Sequence, residues 1–352
     1  MKINLSSVSE VDPNLRVLLR MDTDLPIEDG QVLDNSRLVK TVPTIRLLLE
    51  KNCKVIIIGH RGRPEGLTIP ELSLKQVYLE LMDLLENEGR NMIESVFVED
   101  LTDLEKIKQA LEINQVVFLE NLRFYPGEEE NNPLFLKDLS DLCSVFVNDA
   151  FAVAHRKCAS VMLHKTMPAF YGISFVEEAE KIVKLLDSEK PLTVVLGGAK
   201  KDKLDYLPKL VEMADHVLVG GKLPKLIQNP SPRRNVGDLP LTREAKTVVA
   251  ELREDGLDLS DEDIEKFKEI INSSNTVIWA GAMGKYEDSN CKGGTEEIAK
   301  LIANNPGYKV IAGGDTSASV VNLGLKDKID FICSGGGVML EFLTKRTLPA
   351  WE

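Results

Sequence analysis

The sequence predicts an α/β protein of two doubly wound parallel-sheet domains joined by a hinge helix. Three observations lead there. Apolar runs of four or five residues, rich in Val and Ile, each end in a turn and pass into a helical pattern, the pattern of buried parallel strands. The loops that close these runs carry Arg and His in the first half, as in LLRMDTDLP (Leu18–Pro26), VIIIGHRGRP (Val55–Pro64), VVFLENLRF (Val116–Phe124) and VFVNDAFAVAHR (Val145–Arg156). In the second half they carry glycines: TVVLGGAK (Thr193–Lys200), HVLVGG (His216–Gly221), VIWAGAMG (Val277–Gly284), KVIAGGDT (Lys309–Thr316) and FICSGGG (Phe331–Gly337). The switch falls at FVEEAEKIVKLLDS (Phe175–Ser188), a long amphipathic helical pattern entered from Gly172. Residues 1–174 therefore form one domain, 175–188 the joining helix and 189–352 the second domain, with a C-terminal tail that could return to the first.

Along the chain, a strand ending near Met21 precedes an amphipathic helix over Ser36–Lys51, in which Pro43 marks a kink or a late start. Val55–Ile58 and Val116–Leu119 read as strands. Leucines at helical spacing make Leu74–Asn87 a helix, and Asp103–Glu112 is another. The composition of YPGEEENNP (Tyr125–Pro133) is that of a surface loop, followed by a helix over Leu134–Leu142 and a strand at Val145–Val147. In the second half, strands at Thr193–Leu196, Val217–Val219, Thr276–Trp279, Lys309–Ala312 and Phe331–Cys333 alternate with helical patterns. Gln228–Pro240 is irregular, and Thr242–Glu254 reads as a helix. Asp261–Asn272 is a helix whose Ser260 and Asp263 form a capping box.

Composition narrows the function classes. With 352 residues, 43% hydrophobic and 28% charged, the chain suits two globular domains. A net charge of −13 argues against extended nucleic-acid binding, while a few cations in one cleft can still reverse the local potential for a small anion. No apolar stretch is long enough for a bilayer, and the N-terminus MKINLSSVSEVDP lacks a signal sequence, so no membrane role is expected and a cytoplasmic location is. Five scattered cysteines without CxxC spacing read as reduced thiols, and four histidines without HExxH spacing argue against bound zinc.

In an open parallel sheet, ligands bind outside the carboxyl ends of the strands, where these loops lie. Glycine turns let a ligand approach backbone amides, and amides at a helix N-terminus bind phosphate. One such turn is as easily plain turn chemistry; five in one half point to a nucleotide. Neither GxxxxGK[ST] nor GxGxxG occurs, so a different arrangement must hold it. Asp315, after Gly313 and Gly314, either caps the helix that starts there or supplies the carboxylate for Mg²⁺ among phosphate oxygens. Lys200 and Lys203 after Gly197 and Gly198 are either a solvated pair or a clamp on the transferred phosphoryl group. In the first half Arg37, His60, Arg63, Arg123 and Arg156 stand at or near strand ends. A lone surface Arg is usually solvated, but several on consecutive strand ends of an acidic protein point to convergence on one anion.

RMDTDLP, DNSRL, GHRGRP, LENLRFYPGEE, NDAFAVAHR, LGGAK, TVIWAGAMGKYE, GGDTSA and SGGGVMLEFL with a following LP resemble, in order and spacing, the signature segments of the phosphoglycerate kinase family. The resemblance runs from about Leu18 to Pro349. It implies two doubly wound domains, the first binding 3-phosphoglycerate or 1,3-bisphosphoglycerate and the second ATP or ADP with Mg²⁺, in a glycolytic, monomeric enzyme. By resemblance Asp22, Thr23 and Asp24 hold the hydroxyl and carboxyl end of the substrate. His60, Arg63, Arg123 and Arg156 hold its phosphate, with Arg61 and Gly62 in the same substrate site, and Arg37 faces the transferring group. Gly197, Gly198, Lys200, Lys203 and Gly221 bind nucleotide, Glu287 its ribose, and Gly313, Gly314, Asp315 and Thr316 its phosphates, with Asp315 on the metal. Gly336, between Gly335 and Gly337, offers an amide to the phosphoryl in transit; Arg37, Lys200, Lys203 and Gly336 are thus the catalytic set. The acceptor is already a carboxylate, so no general base is needed, and catalysis is positioning and charge stabilisation after domain closure.

The chain departs from the family pattern in single residues, in one spacing and in length. Asp24 stands where the family has Asn, Lys222 where it has a third glycine, and Ala280 and Ala282 where it has Asn and Pro. The spacing after GGAK is one residue short. The chain is also shorter around Gln228–Gly256 and at its C-terminus. These changes raise a second reading, a weakened relative that binds its ligands without turning them over.

Overall fold

The computed structural model describes residues 3–87, 92–228 and 247–352. Its contacts divide the chain into two units, one of Lys2–Glu180 with Thr347–Glu352, the other of Lys181–Arg346. The first holds strands β1 (Arg16–Arg20), β2 (Ile27–Glu28), β3 (Gln31–Val32), β4 (Lys54–Ile58), β5 (Ser95–Val98), β6 (Val116–Leu119), β7 (Val145–Asn148) and β8 (Ala169–Tyr171). β2 and β3 form a small antiparallel ribbon. The other six make one sheet in the order β5-β6-β4-β1-β7-β8, every pair parallel.

Alternation along these strands fills a core on each face. Val17, Leu19, Val55, Ile57, Val116 and Phe118 point to the side covered by the helices Ser36–Glu50 and Lys75–Glu86. Leu18, Ile56, Ile58, Val117 and Leu119 point to the side covered by Leu104–Ile113, through Ile107 and Leu111. Strands buried on both faces must be apolar throughout, which is why they are continuous runs in the sequence. Pro43 lies inside an unbroken helix, on its exposed side.

The second unit holds β9 (Leu192–Leu196), β10 (His216–Val219), β11 (Thr247–Val249), β12 (Thr276–Ala280), β13 (Tyr308–Ala312) and β14 (Phe331–Cys333). Their order is β11-β10-β9-β12-β13-β14, again all parallel. Val195, Val277, Trp279 and Ile311 pack against Phe267 and Ile271 of the helix Asp261–Asn272 and Ile298 and Ile302 of the helix Gly293–Asn304. Ser260 accepts from the amide of Asp263 at the start of the former. The tail joins the first unit: the Ala350 amide donates to Ala154 O at 3.1 Å, and Tyr171 Oη donates to Ala350 O at 2.7 Å.

Two expectations are corrected. Tyr125–Pro133 is not a plain surface loop, because Pro126–Glu129 is a helical turn whose Glu128 is buried. The helix expected over Thr242–Glu254 is overturned at Thr247–Val249, which is edge strand β11 pairing with β10; its first residues, and the irregular stretch from residue 229 to 240, lie outside the described residues. Strands β2, β3, β5 and β8 are additions to the strands that the sequence predicts.

Candidate active site

In each sheet the chain winds one way from its first strand and then the other, leaving a crevice at the strands' carboxyl ends. In the first unit that switch point lies between β1 and β7. Asp22 follows β1 and is gripped by Arg37 from the first turn of the helix Ser36–Glu50, whose Nη1 donates to Oδ1 at 3.0 Å and Oδ2 at 2.9 Å. Asp22 in turn raises the pKa of Arg37. His60 follows β4 and is 3% exposed. Burial, then Arg123, Arg20, Arg156 and Arg37, push its pKa well below the ordinary imidazole value, so it is neutral at pH 7. Its Nδ1 is buried without a hydrogen-bond partner. Arg123, buried after β6, donates through Nη1 to Gly62 O at 2.6 Å, and burial followed by Arg156 lowers its pKa. Four guanidinium groups thus act on one neutral imidazole; Glu128, Asp22 and Glu129 offset Arg20, Arg37 and Arg123 in part, the last pair at 3.4 Å. An anion placed there would relieve the mutual repulsion and raise the pKa of His60.

Other predicted residues stand differently. Thr23 is buried and donates to His60 O at 2.8 Å, with its side chain against Gly59, so it shapes the backbone and does not face a ligand. The exposed Asp24 accepts from the Gly62 amide at 2.9 Å, a bond that the oxygen of an Asn could also accept. Arg61 is spent on carbonyls: Nε donates to Leu25 O at 3.1 Å, Nη2 to Ile27 O at 3.5 Å and Nη1 to Glu71 O. Arg63 is exposed and absent from the groups acting on His60. Arg20 was missed. It ends β1 with a 1% exposed side chain, Nε donating to Ser160 Oγ at 2.7 Å and Nη2 lying 3.7 Å from Glu128, while Nη1 has no partner. The signal was available, since an Arg inside a buried apolar strand needs a reason.

In the second unit the switch point lies between β9 and β12. The Gly198 amide donates to Ala282 O at 2.7 Å and the Gly221 amide to Met283 O at 3.0 Å, stitching three glycine loops together. A side chain at Gly197 would lie 2.2 Å from Met283 Cε, and one at Gly221, which has φ of 62°, 2.6 Å from the Gly198 amide nitrogen. Lys203 Nζ reaches into this crevice, donating to Gly197 O at 2.8 Å and Ala280 O at 3.0 Å. Burial, then Lys200, lower its pKa to about 8, with Asp202 and Asp315 opposing. Lys200 itself is exposed.

Thr316 is buried and accepts from the Gly281 amide at 2.9 Å, holding the β12 loop to the helix Gly314–Asn322. The N-cap of that helix is Gly313, with no side-chain cap bond, so Asp315 does not cap it. Asp315 is exposed in the first turn and acts on Lys203. The helix Gly336–Lys345 starts at Gly336, its N-cap Gly335 following β14. Glu287 and Lys222 are exposed.

An arginine-rich crevice in one α/β unit and a glycine-lined, lysine-bearing crevice in another are the features of a phosphotransferase. The phosphoglycerate kinase family model matches residues 9–230 and 232–346. The chain belongs to that family. A phosphoglycerate kinase of Leptospira biflexa is 34% identical over 375 residues, covering 95% of this chain and 94% of the relative. One of Akkermansia muciniphila is 34% identical over 379 residues, covering 95% and 93%. The solved phosphoglycerate kinase from Pyrococcus horikoshii superposes with a TM-score of 0.81 at 26% identity, covering 98% of this chain and 97% of that one. The one from Coxiella burnetii gives 0.76 at 28% identity, covering 99% and 98%.

Proposed function

We propose that the chain catalyses reversible phosphoryl transfer between 1,3-bisphosphoglycerate with ADP and 3-phosphoglycerate with ATP, the first unit holding the phosphoglycerate and the second the Mg-nucleotide. The observation that carries the substrate side is the convergence of Arg20, Arg37, Arg123 and Arg156 on buried, neutral His60. A phosphate held by the Arg123 and Arg156 forks would leave Asp22 and Arg37 for the carboxyl end. The acceptor is a carboxylate and needs no proton removed, so the protein contributes orientation and charge stabilisation.

On the nucleotide side, Lys203 would exchange its carbonyl partners for phosphate oxygens, while amides at Gly313 and Gly336 stand at helix starts. Asp315 fits Mg²⁺: it is exposed, makes no cap bond, and stands alone, with no cluster of three acidic, His or Cys groups among the described residues. One carboxylate plus phosphate oxygens is what this ion prefers, and the ion would neutralise charge on the β- and γ-phosphates. A coupled assay with purified protein tests the proposal. ADP should form only when 3-phosphoglycerate, ATP and Mg²⁺ are all present. Binding of both ligands without turnover would leave only a ligand-binding relative.

A further inference from the structure

We propose that Asp149 is a positioning residue that fastens the loop carrying Arg156 to the start of the helix Ile173–Lys184, so that filling the anion site orders that helix start. The inference rests on the reading of the arginine cluster as the phosphoglycerate site.

The helix Ile173–Lys184 follows Gly172, which brings no capping side chain of its own. Its first amides are satisfied from elsewhere. Phe175 N donates to Asp149 Oδ1 at 2.9 Å, and Ile173 N donates to Thr44 Oγ1 at 2.9 Å. Gly172 N donates to Asn148 O at 2.9 Å, and a side chain at Gly172 would lie 2.2 Å from Asp149 Cγ, so only glycine lets the carboxyl reach the helix. A carboxylate is the strongest such cap, because the positive end of the helix dipole adds to the hydrogen bond.

Two routes run from the anion site to this carboxyl. Asp149 opens the loop after β7 that ends at Arg156, one of the groups acting on His60. Arg37, Lys40, Thr41 and Thr44 follow one another at i, i+3, i+4 and i+7, one face of the helix Ser36–Glu50. At one end of that face Arg37 holds Asp22; at the other, the hydroxyls of Thr44 and Thr41 face Asp149. The carboxyl is 2% exposed, and burying a group that can carry charge is costly enough to need a purpose. Burial pushes its pKa up to about 7, with Glu178, itself paired with Lys40 at 3.1 Å, pushing the same way. The helix so fastened is the one along which the chain passes from the first unit to the second.

The test follows hydrogen exchange over residues 173–178 of the full chain with and without 3-phosphoglycerate, together with steady-state kinetics. In the wild type the ligand should slow exchange there several-fold. Asp149→Ala should bind 3-phosphoglycerate within about three-fold of wild type, lose the ligand-induced slowing and drop kcat about ten-fold. Asp149→Asn, which keeps an acceptor for Phe175 N, should restore much of both. Should Asp149→Ala not fold, Thr44→Val removes both the neighbouring cap and a hydroxyl that faces Asp149, and should show the same losses to a smaller degree. Unchanged kcat, a loss confined to KM, or wild-type slowing in Asp149→Ala overturns the proposal. Wild-type protein that binds 3-phosphoglycerate without slowing overturns it too, whereas no binding at all overturns the anion-site reading beneath it.

Discussion

Lys203 shows how much a single residue's surroundings decide. Its ammonium sits on the carbonyls of Gly197 and Ala280, ends of two strands that lie 83 residues apart in the chain yet pair in the sheet. Spacing after GGAK could suggest a phosphate contact but not this berth, because the pairing of β9 with β12 is a non-local fact. The pKa of about 8 has a consequence for function. The cationic form, which a phosphate needs, prevails well below pH 8, is half gone at about pH 8 and is lost above it. Mg-ADP affinity should therefore weaken as pH rises from 7.5 to 9.5, and Lys203→Met should flatten that dependence. The variant should also bind Mg-ADP roughly ten- to hundred-fold more weakly, the worth of a hydrogen bond to a charged group. Calorimetric titration across this range decides it: a pH-independent wild-type affinity would place the nucleotide away from Lys203.

At the scale of elements, what the sequence hid follows a rule. The central strands were legible because burial on both faces makes them continuous apolar runs. The strands missed from the two large sheets, β5, β8 and β11, are all edges, and the short ribbon β2–β3 was missed with them. Ser95, Val96 and Phe97 of β5 and all of β11 are only half-buried, so their patterns are mixed, and the charged residues around Glu251 and Arg253 imitate a helical face. The turn Pro126–Glu129 was hidden for the opposite reason. Its acidic composition reads as solvated, yet Glu128 accepts from Ser160 N at 2.9 Å and Ser160 Oγ at 2.5 Å and faces Arg20. Composition cannot say which of three successive glutamates turns inward; only the meeting of this turn with Ser160 and the Arg20 side chain does. Removing that carboxylate would leave Arg20 buried and uncompensated, so Glu128→Ala should cost about 3–5 kcal/mol. Glu130→Ala, two residues on and exposed, should cost under about 0.5 kcal/mol. Comparable denaturant midpoints for the two variants would show that Glu128 does not hold Arg20.

For the molecule as a whole, two buried groups of the first unit make opposite demands on pH. Asp149, raised to about 7 by burial, binds its proton more tightly folded than unfolded. Between the unfolded carboxyl pKa of 3.8 and about 7 the folded state carries the extra proton, so this group makes stability fall as pH rises. His60, lowered well below 6.5, is neutral when folded while the unfolded chain takes up a proton below that value. Its contribution is therefore lost as pH falls below 6.5, and stability rises with pH through that window. Where the windows overlap, near pH 5–6.5, each slope approaches about 1.4 kcal/mol per pH unit and they largely cancel. Single substitutions should uncross them. His60→Gln should leave a stability that falls, relative to wild type, from pH 5 to 6.5, and Asp149→Asn one that rises. Fluorescence of Trp351, which packs on Phe151 and Phe175 in this unit, reports its unfolding once the other Trp, Trp279, is replaced by Phe. Parallel pH profiles for wild type and both variants would mean that neither group is held out of water as its burial requires.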